Sequence, residues 1–262
     1  MFFNRHLSAN LANNIVSLPR TMVKISNSDI KLIRSLSQKK FRDESGLFIV
    51  EGEKMINEAI YSEMEVVSMY KRDEIGEDQM KRISSCDSPS PILAVVRMPD
   101  IKKSPIRTCG LYLALDSIRD PGNLGTILRV CDWFGIDGIF ASEDTVDQYN
   151  PKVVQSSMGA VFRKKILYGN LEKVCMDFIS AGLPIHGTFL DGDNLYEGDI
   201  NPNGLIVLGN ESRGISQSIR AFCTSRILIP SFATGRHAES LNVAIASAVV
   251  VAEFQRKRNY EK

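Results

Sequence analysis

The sequence predicts an α/β protein in two unequal parts, a larger C-terminal parallel-sheet domain and a smaller N-terminal α/β domain. Three observations predict it. Short apolar runs alternate with stretches of helical period throughout residues 111–262, the pattern of a parallel sheet with crossover helices. A shorter alternation fills 29–96. Between the two, residues 97–109 hold Pro99, Lys102, Lys103, Pro105 and Arg107 with little apolar periodicity, the composition of a linker. At 262 residues and 44% hydrophobic content the chain has enough apolar material for a real core, as one large domain or two ordinary ones.

In chain order, residues 1–21 carry Arg5, but Asn10, Asn13 and Asn14 split their apolar residues. That makes a poor signal peptide and reads as a disordered or loosely docked extension. Met22 opens what looks like a domain start and is a candidate start of translation. Ser26 and Ser28 offer capping side chains to a short amphipathic helix over 29–37, where Ile30, Ile33 and Leu36 recur every third position. Lys31 and Arg34 make its exposed face basic, and Lys39, Lys40 and Arg42 follow at once. After Gly46 the run 47–50 reads as a strand; Met55, Ile56, Ala59 and Ile60 carry a helix. A strand over 66–70, a helix over 73–83 and a strand over 92–96 complete a small βαβ-like unit, in which no residue set reads as catalytic.

In the larger part, 111–115 is a strand, and the turn Pro121-Gly122-Asn123 leads into a helix with the apolar face Leu124, Ile127, Leu128, Cys131 and Phe134. Residues 138–140 form a short strand. Asn150-Pro151 starts a helix that runs through Val153 and Val154 to about Met158 and stops at Gly159. A strand over 165–168, a helix over 171–181 and a strand over 184–188 follow. Ile206, Val207 and Leu208 read as a buried strand that breaks at Gly209-Asn210-Glu211-Ser212-Arg213-Gly214. A strand from Arg226 to Ile229 ends at Pro230, and beyond a loop Ser240-Leu241-Asn242 opens a long apolar helix. Apolar residues on more than one face of 244–254 fit a helix buried against its own domain and a second copy of the chain. Ligands of open α/β sheets bind outside the carboxyl ends of strands, so these two strand ends outline a pocket.

Composition excludes several classes. A formal net charge of +1 gives no bulk field toward a polyanion, so any nucleic-acid contact must be a local patch. Cys86, Cys109, Cys131, Cys175 and Cys223 are odd in number, scattered and without a C-x-x-C pair, which argues against a disulfide framework or zinc site and for a reducing cytoplasm. His6, His186 and His237 lie far apart, so no metal is expected. The longest apolar stretch, 243–254, is broken by Ser247 and Glu253, so no membrane span is expected. No G-x-G-x-x-G, P-loop or G-x-S-x-G motif occurs, which disfavours a dinucleotide-dependent oxidoreductase, a P-loop hydrolase and an α/β-hydrolase.

What is present is the stretch Asp116 to Arg129. Asn123 is placed to cap a helix whose first turn can meet an anion, Gly125 permits close backbone approach, and Arg129 lies about one and a half turns in. A turn with a surface arginine would read the same way from spacing alone.

Three ordered segments carry a resemblance: Asp120-Pro121-x-Asn123-x-Gly125-x-x-x-Arg129; Leu208-Gly209-Asn210-Glu211-x-x-Gly214; and Ile229-Pro230 with Ser240-Leu241-Asn242-Val243-x-Ile245-Ala246. They resemble the three motifs of the SpoU (TrmH-type) RNA ribose 2′-O-methyltransferases of the SPOUT superfamily. The segment Asn150-Pro151-Lys152-Val153-Val154-x-x-Ser157-Met158-Gly159-Ala160 also looks like that family. Residues 31–53, with Lys40, Arg42, Phe48 and Glu51-Gly52, are similar to the substrate-binding domain that many members carry, so the resemblance covers nearly everything after Met22.

The resemblance implies an extension over 1–21, an RNA substrate-binding domain over 22–97, a linker over 98–109 and a trefoil-knotted methyltransferase domain over 110–262, in which the chain from about Glu211 to Asn242 threads back through itself. It implies S-adenosyl-L-methionine as cofactor, held largely by backbone groups at Thr188, Leu208, Gly209, Ile229 and Leu241, and a polar catalytic set of Asn123, Arg129, Glu211, Ser240 and Asn242. It further implies a cytoplasmic homodimer with RNA crossing both subunits. The expected substrate is 23S ribosomal RNA, with transfer RNA and a catalytically silent RNA-binding role as alternatives. Arginine is an awkward base because its guanidinium hardly deprotonates. The expected role of Arg129 is therefore to orient the hydroxyl and a neighbouring phosphate and to stabilise a developing alkoxide, with Glu211 or Asn242 fixing its geometry.

Lys39, Lys40 and Arg42, together with Lys102, Lys103 and Arg107, are candidate phosphate contacts. The loop 231–239, holding Gly235, Arg236 and His237, is longer than the compact one common in the family and reads as a surface excursion, with a lid or RNA-contacting loop as the alternative.

Overall fold

The structure, a computed structural model, describes residues 25–100, 105–197, 200–236 and 238–260. The expectations on 1–21, Met22, Lys102, Lys103 and His237 fall outside the described residues.

The N-terminal part runs α1 (Asn27–Ser35), α2 (Lys39–Ser45), β1 (Leu47–Glu51), α3 (Glu53–Tyr61), β2 (Val66–Lys71), α4 (Arg72–Ile75), α5 (Glu77–Ile83) and β3 (Ile92–Arg97). Ser26 caps α1 in a capping box with Asp29, as its position before the apolar repeat suggests. The βαβ-like expectation needs correction in one respect. The last strand, β3, inserts between the other two and pairs antiparallel with both, giving the order β1-β3-β2. An antiparallel insertion leaves β1 and β2 running in the same direction but not hydrogen-bonded to each other. The helix α2 was not expected; it has no side-chain N-cap and stops at Gly46, which sits in the left-handed region at φ 66°.

The C-terminal part runs β4 (Leu111–Leu115), α6 (Pro121–Trp133), β5 (Gly138–Ala141), α7 (Pro151–Ser156), α8 (Ala160–Arg163), β6 (Ile166–Tyr168), α9 (Leu171–Ser180), β7 (Ile185–Asn194), β8 (Gly204–Leu208), α10 (Gln217–Arg220), β9 (Ser225–Leu228) and α11 (Val243–Tyr260). Among the described residues its six strands are ordered β6-β5-β4-β8-β7-β9, and every pair is parallel. Each residue of β4 and β8 is buried, which is why these strands read as continuous apolar runs rather than alternating ones.

Two features of this sheet position a site. The chain winds outward from β4 through β5 to β6, then returns to lay β8 and β7 on the opposite side of β4. The β4/β8 boundary is therefore where the winding reverses, the place where open α/β sheets hold ligands. In addition, β7 and β8 pair only as far as Gly187↔Val207, after which β7 continues alone against β9. The carboxyl ends of β7 and β8 thus splay apart.

One of three core clusters spans both parts among the described residues. Phe48 of β1 lies with its ring centroid 4.6 Å from Tyr149 and 6.4 Å from Phe162. Arg163 reaches across to Glu58 at 2.7 Å. Arg42, expected to contact phosphate, is instead 2% exposed and pairs with Asp147 at 2.6 Å. Its Nη1 donates to the carbonyls of Leu36 and Ser37 at 2.8 and 2.9 Å, so its donors face inward and it is not available to RNA. Among the described residues, no helix is long and apolar enough to cross a membrane, and no group of three or more His, Cys, Asp or Glu side chains could hold a metal ion.

Candidate active site

The site is built at the β4/β8 reversal. Asp120 N-caps α6 by accepting from the Asn123 amide at 2.8 Å, and Pro121 occupies the first turn, where its missing N–H costs nothing. This fixes Asn123 at the open mouth of the helix. The side chain of Asn123 donates from Nδ2 to Glu211 Oε1 at 2.9 Å and accepts at Oδ1 from Asn242 Nδ2 at 2.9 Å. Asn242 in turn caps α11, accepting at Oδ1 from the amides of Ala244 and Ile245 at 2.9 and 3.3 Å.

The direction of every bond in this chain is forced. A carboxylate only accepts, so Asn123 must present its NH2 to Glu211 and its oxygen to Asn242; Asn242 must then present its NH2 and keep its oxygen for the α11 amides. Asn123 is thus joined to segments 88 and 119 residues further along the chain by one polarised line of hydrogen bonds. Glu211 also lies 3.4 Å from the Asp120 amide, a negative charge beside the positive end of α6.

Supporting residues that sequence reasoning left without a role hold this frame. Asn210 donates to the Ser117 carbonyl at 2.8 Å while its Oδ1 accepts from the amides of Ser212 and Arg213, both at 3.1 Å. The buried Asp116 accepts from the Ser216 amide at 2.7 Å. Asp144 anchors the β4–α6 loop; the Ser117 hydroxyl first, then Ser142 and Arg119, hold its carboxyl down at about 2. The signal for Asn210 was available, since Asn after Gly at a strand end favours such a side-chain-closed turn. That for Asp144 was not, because beside the neighbouring Ser142 its partners Arg119 and Ser117 lie 25 and 27 residues away.

The remaining expected residues are placed as follows. Leu208 is buried, and Gly209 has no space for a side chain: a Cβ there would lie 2.2 Å from Gly214 C and from Ile215 N. Gly209 and Ile229 sit one residue past the last ladder partners, Leu208 and Leu228, so their peptide groups have left the sheet. Thr188 stands where β7 and β8 part, its hydroxyl on the Val207 carbonyl at 3.0 Å. Leu241 is half exposed and Ser240 is exposed, and Ser240 makes no hydrogen bond to the polar line among the described residues. The loop around Gly235 and Arg236 is exposed and irregular.

Arg129 departs from expectation. Neither Glu211 nor Asn242 bonds it among the described residues, and its side chain is exposed. Six residues of helix carry it about 9 Å along α6 and about 120° around the axis from Asn123. It shares an outer stripe with Gly122, Thr126 and the 86%-exposed Trp133.

Comparison with known proteins decides the family. The model of the SpoU rRNA methylase family matches residues 110–252, more than half of the chain. The chain belongs to the SpoU rRNA methylase family. Residues 27–85 of this SpoU-family chain match the MRM3-like substrate-binding domain. It is 29% identical to the 23S rRNA (guanosine(2553)-2′-O)-methyltransferase RlmP of Bacillus subtilis, covering 86% of this chain and 95% of that one. A structure from Porphyromonas gingivalis described as of the TrmH RNA methyltransferase family superposes with a TM-score of 0.78 at 37% identity, over 89% of this chain and 99% of that one. The SpoU methyltransferase AviRb of Streptomyces viridochromogenes, solved in complex with the cofactor AdoMet, gives a TM-score of 0.78 at 25% identity, over 90% and 99% of the two chains.

Proposed function

We propose that this chain transfers a methyl group from S-adenosyl-L-methionine to a ribose 2′-hydroxyl of large-subunit ribosomal RNA. The observation that carries the proposal is the polarised Asn242–Asn123–Glu211 line at the winding reversal of the sheet, in a SpoU-family chain whose relatives include a 23S rRNA 2′-O-methyltransferase.

The residues present fit the cofactor. The splayed ends of β7 and β8 open beside peptide groups of Gly209 and Ile229 that lie beyond the ladder, and Ile229 and Leu241 supply apolar walls, a donor set suited to a molecule held by backbone and apolar contact. When bound, the cofactor supplies an electrophilic methyl on a sulfonium. The hydroxyl is a poor nucleophile, so alignment and relief of charge dominate the barrier. Asn123, Glu211 and Asn242 hold the starts of α6 and α11 and the end of β8 in one frame. Arg129, with five donors and no acceptor, meets a phosphate and the developing alkoxide from the outer stripe of α6.

We further infer a trefoil knot closed by the chain between Glu211 and Asn242, a substrate-binding domain over 22–97, a linker over 98–109 and a catalytic domain over 110–262, and a cytoplasmic location. A homodimer through α6 and α11 is supported by the exposed apolar side chains there: Trp133 is 86% exposed and Ile245 53%.

The test is methyl transfer from labelled S-adenosyl-L-methionine to ribosomal RNA isolated from cells lacking the gene, with mapping of ribose methylation. Incorporation lost with Asn123→Ala or Arg129→Ala is the expected result. RNA binding without cofactor binding by calorimetry would instead mark a silent homologue. Nearly full turnover by Arg129→Lys would end the bidentate role of Arg129.

A further inference from the structure

The N-terminal part holds a cavity of ≈ 340 Å³ that methyl transfer itself does not use. Its floor is apolar, made by Ile33, Ile49 and Ile83, and one wall is the half-buried ring of Phe41. Lys40 Nζ lies 5.9 Å from the centroid of that ring. Arg34 and Gln38 are exposed at the rim, and Arg34 forms no ion pair among the described residues. The opposite side is closed by Ser84 and Ser85, whose hydroxyls both point at the buried Glu51 carboxylate at 2.6 Å. The Ser85 amide adds a third bond to Glu51 at 2.7 Å. These donors are neutral and leave the carboxylate charged, and Arg34 at the rim sets a positive charge against it.

An apolar floor, an aromatic wall, a side-chain amide and the Arg34 cation at the mouth suit a flat heteroaromatic ring with a hydrogen-bonding edge and an adjoining anion; Lys40, beside the ring and outside the lining, lies 3.9 Å from Glu44 and can turn to that anion. A cavity of this size is at the lower end for small-ligand sites, room for one nucleotide but not for a strand. Unpaired bases of RNA are bound in this way, stacked on aromatic rings and read at their edges. The cavity is also fixed relative to the catalytic centre. Phe41 is followed by Arg42, whose pairing with Asp147 locks α2 to the C-terminal part. From there α7 packs on α6, with Ser156 of α7 bonded to the Pro121 carbonyl at 3.1 Å.

We propose that this cavity receives one unpaired base of the substrate RNA at a set distance from the methylated ribose, with Phe41 stacking on it, Gln38 at its edge, and Arg34 and Lys40 at its phosphates. The identity of the RNA rests on the methyl-transfer reading; the cavity does not.

The test uses the full chain with ribosomal RNA from cells lacking the gene. Ultraviolet crosslinking followed by mass spectrometry of the protein is expected to label the peptide holding Phe41. Phe41→Ala, Gln38→Ala and Arg34→Glu are expected to raise KM for RNA about tenfold with a smaller change in kcat, the range for loss of one stacked base. Lys31→Glu, on the same helix but outside the cavity, serves as the charge control. Equal loss from Lys31→Glu and Arg34→Glu would show a diffuse basic face and overturn the cavity, as would unchanged KM with crosslinks elsewhere. Nucleoside monophosphates that bind at micromolar concentration and displace no RNA would overturn RNA as the occupant. If the wild-type chain transfers no methyl group, crosslinking and weakened RNA binding by Phe41→Ala still support the cavity, and only the methyl-transfer reading falls.

Discussion

Removing Asp147 is expected to destabilise the whole chain, and the size of the loss follows from the surroundings of Arg42. The guanidinium is 2% exposed and makes four hydrogen bonds: Nε and Nη2 to Asp147 Oδ2 at 2.9 and 2.6 Å, and Nη1 to the Leu36 and Ser37 carbonyls at 2.8 and 2.9 Å. Asp147→Ala takes away the only carboxylate among those partners and leaves a buried cation held by two neutral carbonyls. Breaking one side of a buried pair costs about 3–5 kcal/mol, whereas replacing both partners by apolar groups costs far less than twice that. Arg42→Met alone strands the carboxylate at a similar cost. The double variant Arg42→Met with Asp147→Leu is therefore expected to lose no more than either single change, not about 6–10 kcal/mol. Urea unfolding followed by far-ultraviolet circular dichroism reads this directly, as midpoint shifts of about 1 M or more for the singles. Additive losses, or a single-variant loss below about 1 kcal/mol, would refute the reasoning. Unchanged stability with weaker, less salt-sensitive RNA binding would return Arg42 to the RNA contacts.

Asn123→Asp places a second carboxylate against Glu211 and breaks the polarised line there, while Asn242 can still donate to position 123, so turnover should fall about 100-fold while cofactor affinity by calorimetry changes little; retained turnover would remove Asn123 from the machinery. Gly125→Ala gains about 1 kcal/mol of helix propensity but drives a Cβ to 2.0 Å from Ser156 Oγ and 2.9 Å from the Ser156 backbone carbon. Overpacking costs about 1–3 kcal/mol, so a lower melting temperature is expected and a higher one would show that α6 can shift freely. His186 is kept neutral chiefly by burial, with Nδ1 facing Ser225 Oγ at 2.6 Å and Nε2 facing the Asn203 carbonyl at 3.2 Å. Its folded pKa lies below the ordinary 6.5, so the unfolded chain takes up the proton first. Stability should be fully present above that value and fall as pH drops below it; a His186→Gln variant should lose that part of the pH dependence, and an unchanged slope would assign it elsewhere.

The site was more legible than its geometry. Asn123, Glu211 and Asn242 stand at helix starts and a strand end marked by Asn, Pro and Gly, and such local punctuation is readable because caps and turns depend on neighbouring residues, although the cap of α6 expected of Asn123 is supplied by Asp120. The same locality placed every strand of the larger sheet, since buried parallel strands are short continuous apolar runs. It did not separate Arg129 from the Glu211 and Asn242 that meet Asn123, because two residues of one motif six positions apart on α6 face different sides of the helix.

What the sequence by itself determined is the order of the strands, the family motifs, and the identities of the three side chains that form the polar line; the helices α2, α8 and α10 it did not place. Which groups those side chains meet was decided by tertiary structure. Arg42 sits in a run with Lys39 and Lys40 and reads as surface charge, yet it is buried because Asp147, 105 residues away, is brought against it. The insertion of β3 between β1 and β2, and the reversal of winding at β4 and β8, are likewise pairings of distant strands. Hydrophobic period reports which face of an element is buried, through interactions a few residues long; it carries no record of the partner that buries it.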